Sequence, residues 1–122
     1  MSLTFDEICI DAHDANTLGV WWSEVLGWPH HVDKDGDVVL EAPPGAGPNW
    51  LFIAVPDDKV VKNRIHLDFR PDDQQAEVDR VIGLGARHVD IGQGEQTWVV
   101  LADPEGNEFC VLRSPVEPYA AG

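Results

Sequence analysis

The sequence predicts an α+β fold built from two copies of one β-α-β-β-β unit, and three observations carry that prediction. Apolar and polar residues alternate over two short segments, 5–12 and 64–70, as half-buried strands require. Each segment leads into a carboxylate suited to cap a helix and then an apolar stripe at helical spacing that stops at a glycine. Three short strand-like runs follow each helix, with turn residues between them.

In the first segment Ile8 and Ile10 share one face, and Glu7, Cys9 and Asp11 the other. Asp14 suits an N-cap; Leu18, Trp22, Val25 and Leu26 form the stripe, and Gly27 ends it. Strand-like runs then cover roughly 30–32, 37–41 and 50–55. In the second segment Leu67 and Phe69 alternate with His66, Asp68 and Arg70. Asp72 or Asp73 can cap a helix whose stripe is Val78, Val81 and Ile82, ended by Leu84-Gly85. The next runs are 88–91, 97–102 and 108–112. Turns are marked by Asp35-Gly36, Pro43-Pro44-Gly45, Gly92 to Gly94 and Asp103-Pro104-Glu105-Gly106. Leu26-Gly27 to Leu84-Gly85 is a shift of 58, Glu7 to His66 of 59 and Phe52 to Cys110 of 58. These coincident landmarks indicate a duplication within one domain over 1–122. Module one covers about 4–57, module two about 63–114, and 115–122 is a loosely held tail.

The alternation also divides the strands into faces. Ile8, Ile10, Leu51, Ile53, Val55, Leu67, Phe69, Phe109 and Val111 form an apolar face, expected beneath the helices. The opposite face mixes charge, thiol and aromatic groups: Glu7, Cys9, Asp11, Trp50, Phe52, His66, Asp68, Arg70, Glu108, Cys110 and Leu112. If the sheets curl, this face lines a concave space.

Composition narrows the function classes. With 122 residues, 43% hydrophobic and 25% charged, the chain is one globular domain able to bury a core. Eight Lys and Arg against 22 Asp and Glu leave a net charge of −14, which disfavours nucleic acid and anionic membrane as partners. Cys9 and Cys110 show no metal-ribbon or redox spacing, and residues 1–7 lack the basic start and apolar run of a signal peptide. The expectation is a cytoplasmic protein. Neither G-x-G-x-x-G after a strand, nor a P-loop, G-x-S-x-G or H-E-x-x-H is present, so nucleotide-driven chemistry and a conventional serine hydrolase are unsupported.

Three segments carry a family resemblance: Asp11 to Asp14 with Trp21-Trp22-Ser23-Glu24-Val25-Leu26-Gly27-Trp28; Arg64-Ile65-His66-Leu67-Asp68-Phe69 with Gly83-Leu84-Gly85-Ala86; and Ala102-Asp103-Pro104-Glu105-Gly106-Asn107 running into 108–112. Together they resemble the glyoxalase-like, bleomycin-resistance-like branch of the vicinal oxygen chelate superfamily over about 5–113. The resemblance implies paired βαβββ modules whose curved mixed sheets enclose a cavity, with helices on the outer faces. In metal-dependent members a divalent ion (zinc, nickel, manganese or iron) is held from the first and last strands of the modules. Those places fall here on Glu7, Phe52, His66 and Cys110. Glu7 and His66 conform; Phe52 offers no donor, and Cys110 stands where a carboxylate is usual. A homodimer is also implied.

Each candidate has a chemical and a structural reading. His66 can ligate metal or act as a general base, or simply be a hydrogen-bonded strand histidine. Glu7 can ligate or shuttle a proton beside a carbonyl, or be an exposed strand-end charge. Cys110 can be a thiolate ligand or a nucleophile paired with His66, or a buried space-filler. Asp68 shares its face. Trp50 and Phe52 can form an apolar wall for a planar or acyl ligand, whereas Trp22 belongs to the helix stripe. His30 and His31 are adjacent in a strand and point oppositely, which argues against a paired metal site. The resulting expectation is a small-molecule pocket lined by Trp50, Phe52, Asp68 and Cys110, with Glu7 and His66 catalytic, and with Glu7, His66 and Cys110 as candidate metal ligands. Its chemistry would be of lyase, isomerase or dioxygenase type on a small carbonyl or oxygenated compound. The alternative is a non-catalytic, drug-sequestering binder without metal.

Overall fold

Short-range hydrogen bonds set where the helices begin. Asp14 accepts the Thr17 amide at 3.1 Å and the Thr17 hydroxyl at 2.8 Å, and this N-cap opens α1 (Ala15–Leu26). Gly27, at φ 70°, closes it in the left-handed conformation that glycine adopts without a Cβ clash. Asp73 accepts the Ala76 amide at 3.0 Å and opens α2 (Gln74–Leu84) in the same way.

The computed structural model describes residues 2–113, so the tail expected over 115–122 lies outside the described residues. The chain divides into two compact units, one ending at Lys59 and the other beginning at Val60. The first holds β1 (Glu7–Ala12), α1, β2 (His30–Val32), β3 (Val38–Leu40) and β4 (Asn49–Ala54), with its sheet in the order β1-β4-β3-β2. The second holds β5 (Leu67–Phe69), α2, β6 (Arg87–His88), β7 (Val99–Ala102) and β8 (Glu108–Val111), in the order β5-β8-β7-β6. In both sheets the first and last strands pair in parallel and the other neighbours antiparallel. This is an α+β fold of two βαβββ units.

The core of the first unit is aromatic. Trp22 packs on Trp50 at 5.2 Å between ring centroids, Trp28 on Trp50 at 5.9 Å, and Trp50 on Phe52 at 6.3 Å. Leu18, Trp22, Val38, Leu40 and Phe52 are almost wholly buried. Removing each such side chain from water contributes about 1.5–3 kcal/mol. α1 comes so close to the sheet that a Cβ on Gly19 would meet Val38 Cγ1 at 2.6 Å and Phe52 Cδ1 at 3.4 Å.

That packing overturns the expected facing of β4. Trp50 and Phe52 lie beneath α1, while Leu51 and Ile53 are half-buried on the other face. The strand registers show why. Ile8 pairs with Trp50 and Leu67 with Phe109, so the offset from Trp50 to Phe109 is 59, the same as from Glu7 to His66. The offset of 58 from Phe52 to Cys110 was one residue short, and a one-residue slip in a strand exchanges its two faces. The counterpart of Cys110 is Leu51.

Candidate functional site

In the second unit the alternation leaves Leu67, Phe69, Phe109 and Val111 on one face. Phe69 and Phe109 stack edge-on at 5.9 Å, and Phe109 and Val111 are buried. Asp68 pairs with Cys110 on the opposite face. Here a cleft of about 260 Å³ is lined by His66, Asp68, Ile91, Gln93, Trp98, Cys110 and Leu112.

One wall is a loop that side chains hold in place. Residues 88–91 were expected as a strand, but only Arg87–His88 pair. Asp90 accepts the Gly92 amide at 2.7 Å, and Gln93 Oε1 accepts the Ile91 amide at 2.8 Å. These side chains take backbone donors that a strand would use, so the chain turns instead of pairing. Gln93 Nε2 also donates to the Val89 carbonyl at 3.4 Å, and Gln74 Nε2 to those of Thr97 and Val111 at 2.9 and 3.1 Å. Ile91 and Trp98 thereby reach the cleft, Trp98 with about a third of its surface exposed.

The floor is Cys110. Burial first, then the charge of Asp68 and a hydrogen bond to it, push its thiol up to about 11. At neutral pH it is an uncharged S–H donating to Asp68. The Lys62 ammonium lies 2.7 Å from His66 Nε2; a lysine only donates, so that nitrogen accepts and the ring proton sits on Nδ1.

The structure therefore brings His66, Asp68 and Cys110 to one cleft and separates other candidates from it. Trp50 and Phe52 are core residues of the first unit, so neither lines the cleft as expected: their side chains meet α1. Glu7 is half-buried at the start of β1, where its carboxylate takes the Cys9 thiol at 3.7 Å. Sequence reasoning left Trp98 without a role and missed Ile91 and Gln93; the Asp90-x-Gly92 and Gly92-x-Gly94 spacing was the available signal for a loop there. His30 and His31 do point apart, to Ser23 Oγ at 3.1 Å and Glu41 at 3.5 Å. The buried Asp103 accepts the amides of Glu105 and Asn107, both at 2.9 Å, which accounts for its carboxylate as a turn support.

The metal places implied by the resemblance do not suit a divalent ion here. Phe52 offers no donor, nor does Leu51, the register counterpart of Cys110, and His66 Nε2 meets the Lys62 ammonium at 2.7 Å. Among the described residues, the group of three acidic, His or Cys side chains with ligand atoms within 4.8 Å is Asp33, Asp35 and Asp37. There Asp33 already accepts the amides of Asp35 and Asp37 at 2.9 and 3.0 Å, which makes the cluster a turn.

Comparison with known proteins follows this geometry. A model of the glyoxalase-like domain matches residues 7–112. The chain belongs to the glyoxalase-like domain family. No curated protein matches it in sequence. Among solved structures, a glyoxalase/bleomycin resistance protein/dioxygenase family enzyme from Burkholderia phytofirmans PsJN superposes with TM-score 0.67 at 18% identity, covering 87% of this chain and 94% of that one. TnmS3, an antibiotic binding protein from Streptomyces sp. CB03234, gives 0.64 at 18% identity, over 92% and 97%. A hypothetical protein, SA1046 from S. aureus, gives 0.64 at 14% identity, over 92% and 97%. At these identities the likeness is one of fold. No helix among the described residues is long and apolar enough to cross a membrane.

Proposed function

We propose that this glyoxalase-like protein binds a small, largely apolar molecule in the cleft of its second unit without transforming it. The observation that carries this reading is the chemical state of the cleft. Trp98, Ile91 and Leu112 supply apolar wall, while the thiol keeps its proton and the accepting nitrogen of His66 is engaged. Neither that thiol nor that imidazole nitrogen is free to act as nucleophile or base. The likeness in fold to TnmS3, an antibiotic binding protein, supports this reading. We take the protein to act as a cytoplasmic homodimer, checked by sedimentation of the purified chain.

The test is metal content with turnover, measured on untagged protein and on His66→Ala. We expect less than about a tenth of an equivalent of metal, unaltered by the substitution, since two donors hold a divalent ion poorly. Near-stoichiometric zinc, nickel, manganese or iron that disappears in His66→Ala would overturn the reading in favour of lyase, isomerase or dioxygenase-type chemistry.

A further inference from the structure

The polar groups around the cleft differ in what they leave for a ligand. Both amide atoms of Gln93 serve its own loop, Oε1 to Ile91 and Nε2 to Val89. His66 Nε2 faces the Lys62 ammonium. Cys110 donates its proton to Asp68. A carboxylate offers about four acceptor positions and the thiol takes one, so Asp68 retains acceptor capacity beside Trp98, Ile91 and Leu112. A cleft of about 260 Å³ lies just below the ordinary range for drug-sized ligands, which suits a molecule of about two fused rings.

We infer that the cleft selects flat aromatic cations and that Asp68 sets this preference. The inference rests on the binding reading above and names its ligand class. An anion entering would meet the Asp68 carboxylate in a molecule of net charge −14, whereas a neutral ring gains only the apolar wall. A ring cation gains the wall, the Trp98 π-system and the attraction of the Asp68 charge. Lys62 opposes this, since its charge reaches Cys110, but Asp68 acts on that thiol more strongly and lines the cleft, which Lys62 does not.

The experiment is a chemical-shift titration of the full chain with three probes of one shape: 1-methylquinolinium, quinoline and quinoline-2-carboxylate. We expect the cation to bind about tenfold more tightly than quinoline, as cation–π contact with Trp98 and the attraction of one nearby carboxylate charge allow, and the carboxylate more weakly than either. Asp68→Asn should remove most of the cation's advantage and leave quinoline unchanged. Asp72→Asn, the same charge change at an exposed residue outside the cleft lining, should leave both unchanged. Equal binding of cation and quinoline by the unaltered protein would overturn the proposal while leaving the binding reading intact. Equal losses in the two variants would also overturn it, by assigning the preference to the net field. If no probe shifts Trp98, Ile91 or Leu112, the binding reading falls with it.

Discussion

The two units share one topology and use it differently. α1 buries Ala15, Leu18, Gly19, Trp21, Trp22 and Ser23, whereas α2, one residue shorter, buries Val78 and Val81. Five aromatic rings from α1, the turn after it and β4 interlock in the first unit; in the second, Phe69 packs on Phe109. At matched register positions Trp50 corresponds to Phe109 and Phe52 to Val111, so the first unit puts the larger side chain in each helix-covered place. Its volume goes into packing. The second unit has the lighter core, and the face away from its Phe69–Phe109 pair carries Asp68, Cys110 and the cleft. One unit is thus heavily packed, and the other carries the cleft.

The largest effect that would break this contrast is at Trp50. Trp50→Ala should cost about 3–5 kcal/mol, read from the denaturation midpoint, because it empties the middle of the ring cluster. The folded fraction should still bind 1-methylquinolinium unchanged. Unaltered stability with weakened binding would instead return Trp50 to a ligand wall. Glycines sharpen the comparison next. Gly19→Ala drives a methyl into Val38, which sits on a strand and cannot retreat. Overpacking of about 1–3 kcal/mol should outweigh the roughly 1 kcal/mol gained in helix propensity, so the protein melts lower. Gly83→Ala in α2 meets nothing within 4 Å and should raise stability by about 0.5–1 kcal/mol. Equal signs for both substitutions would contradict the difference in helix packing.

A further effect belongs to the cleft thiol and appears only at alkaline pH. In the unfolded chain Cys110 ionises near its ordinary value of 9.0; in the folded protein it does so at about 11. Between these values the native state holds more protons, so stability is level below about 9 and falls as pH rises toward about 11. Cys110→Ser should flatten that fall in urea titrations at successive pH. An unchanged slope would show that Cys110 does not cause it.

Much of the fold was legible because its signals are local. Asp14 and Asp73 cap helices through amides three residues away, Gly27 and Gly85 end them, and the Asp103 turn closes on Asn107. In the second unit the alternation of Leu67 and Phe69 with His66 and Asp68 was legible in the same way, and His66 and Asp68 line the cleft. β4 resisted the same reasoning because Trp50, Leu51, Phe52 and Ile53 are all apolar, leaving no polar residue to mark a face. Only pairing with β1 and the approach of α1 at Gly19 decide that Trp50 and Phe52 go inward.

The sequence by itself therefore determined the two βαβββ units, their caps and turns, and the family, since each depends on residues close along the chain or on a pattern repeated across it. The tertiary structure decided which face of β4 is core, how the 91–98 loop comes to line the cleft with Asp68 and Cys110, and how far the Cys110 thiol is pushed above its ordinary value. Those outcomes depend on burial and on partners distant in sequence, such as Gln74 with Val111 and Asp68 with Cys110, which alternation along one strand does not encode.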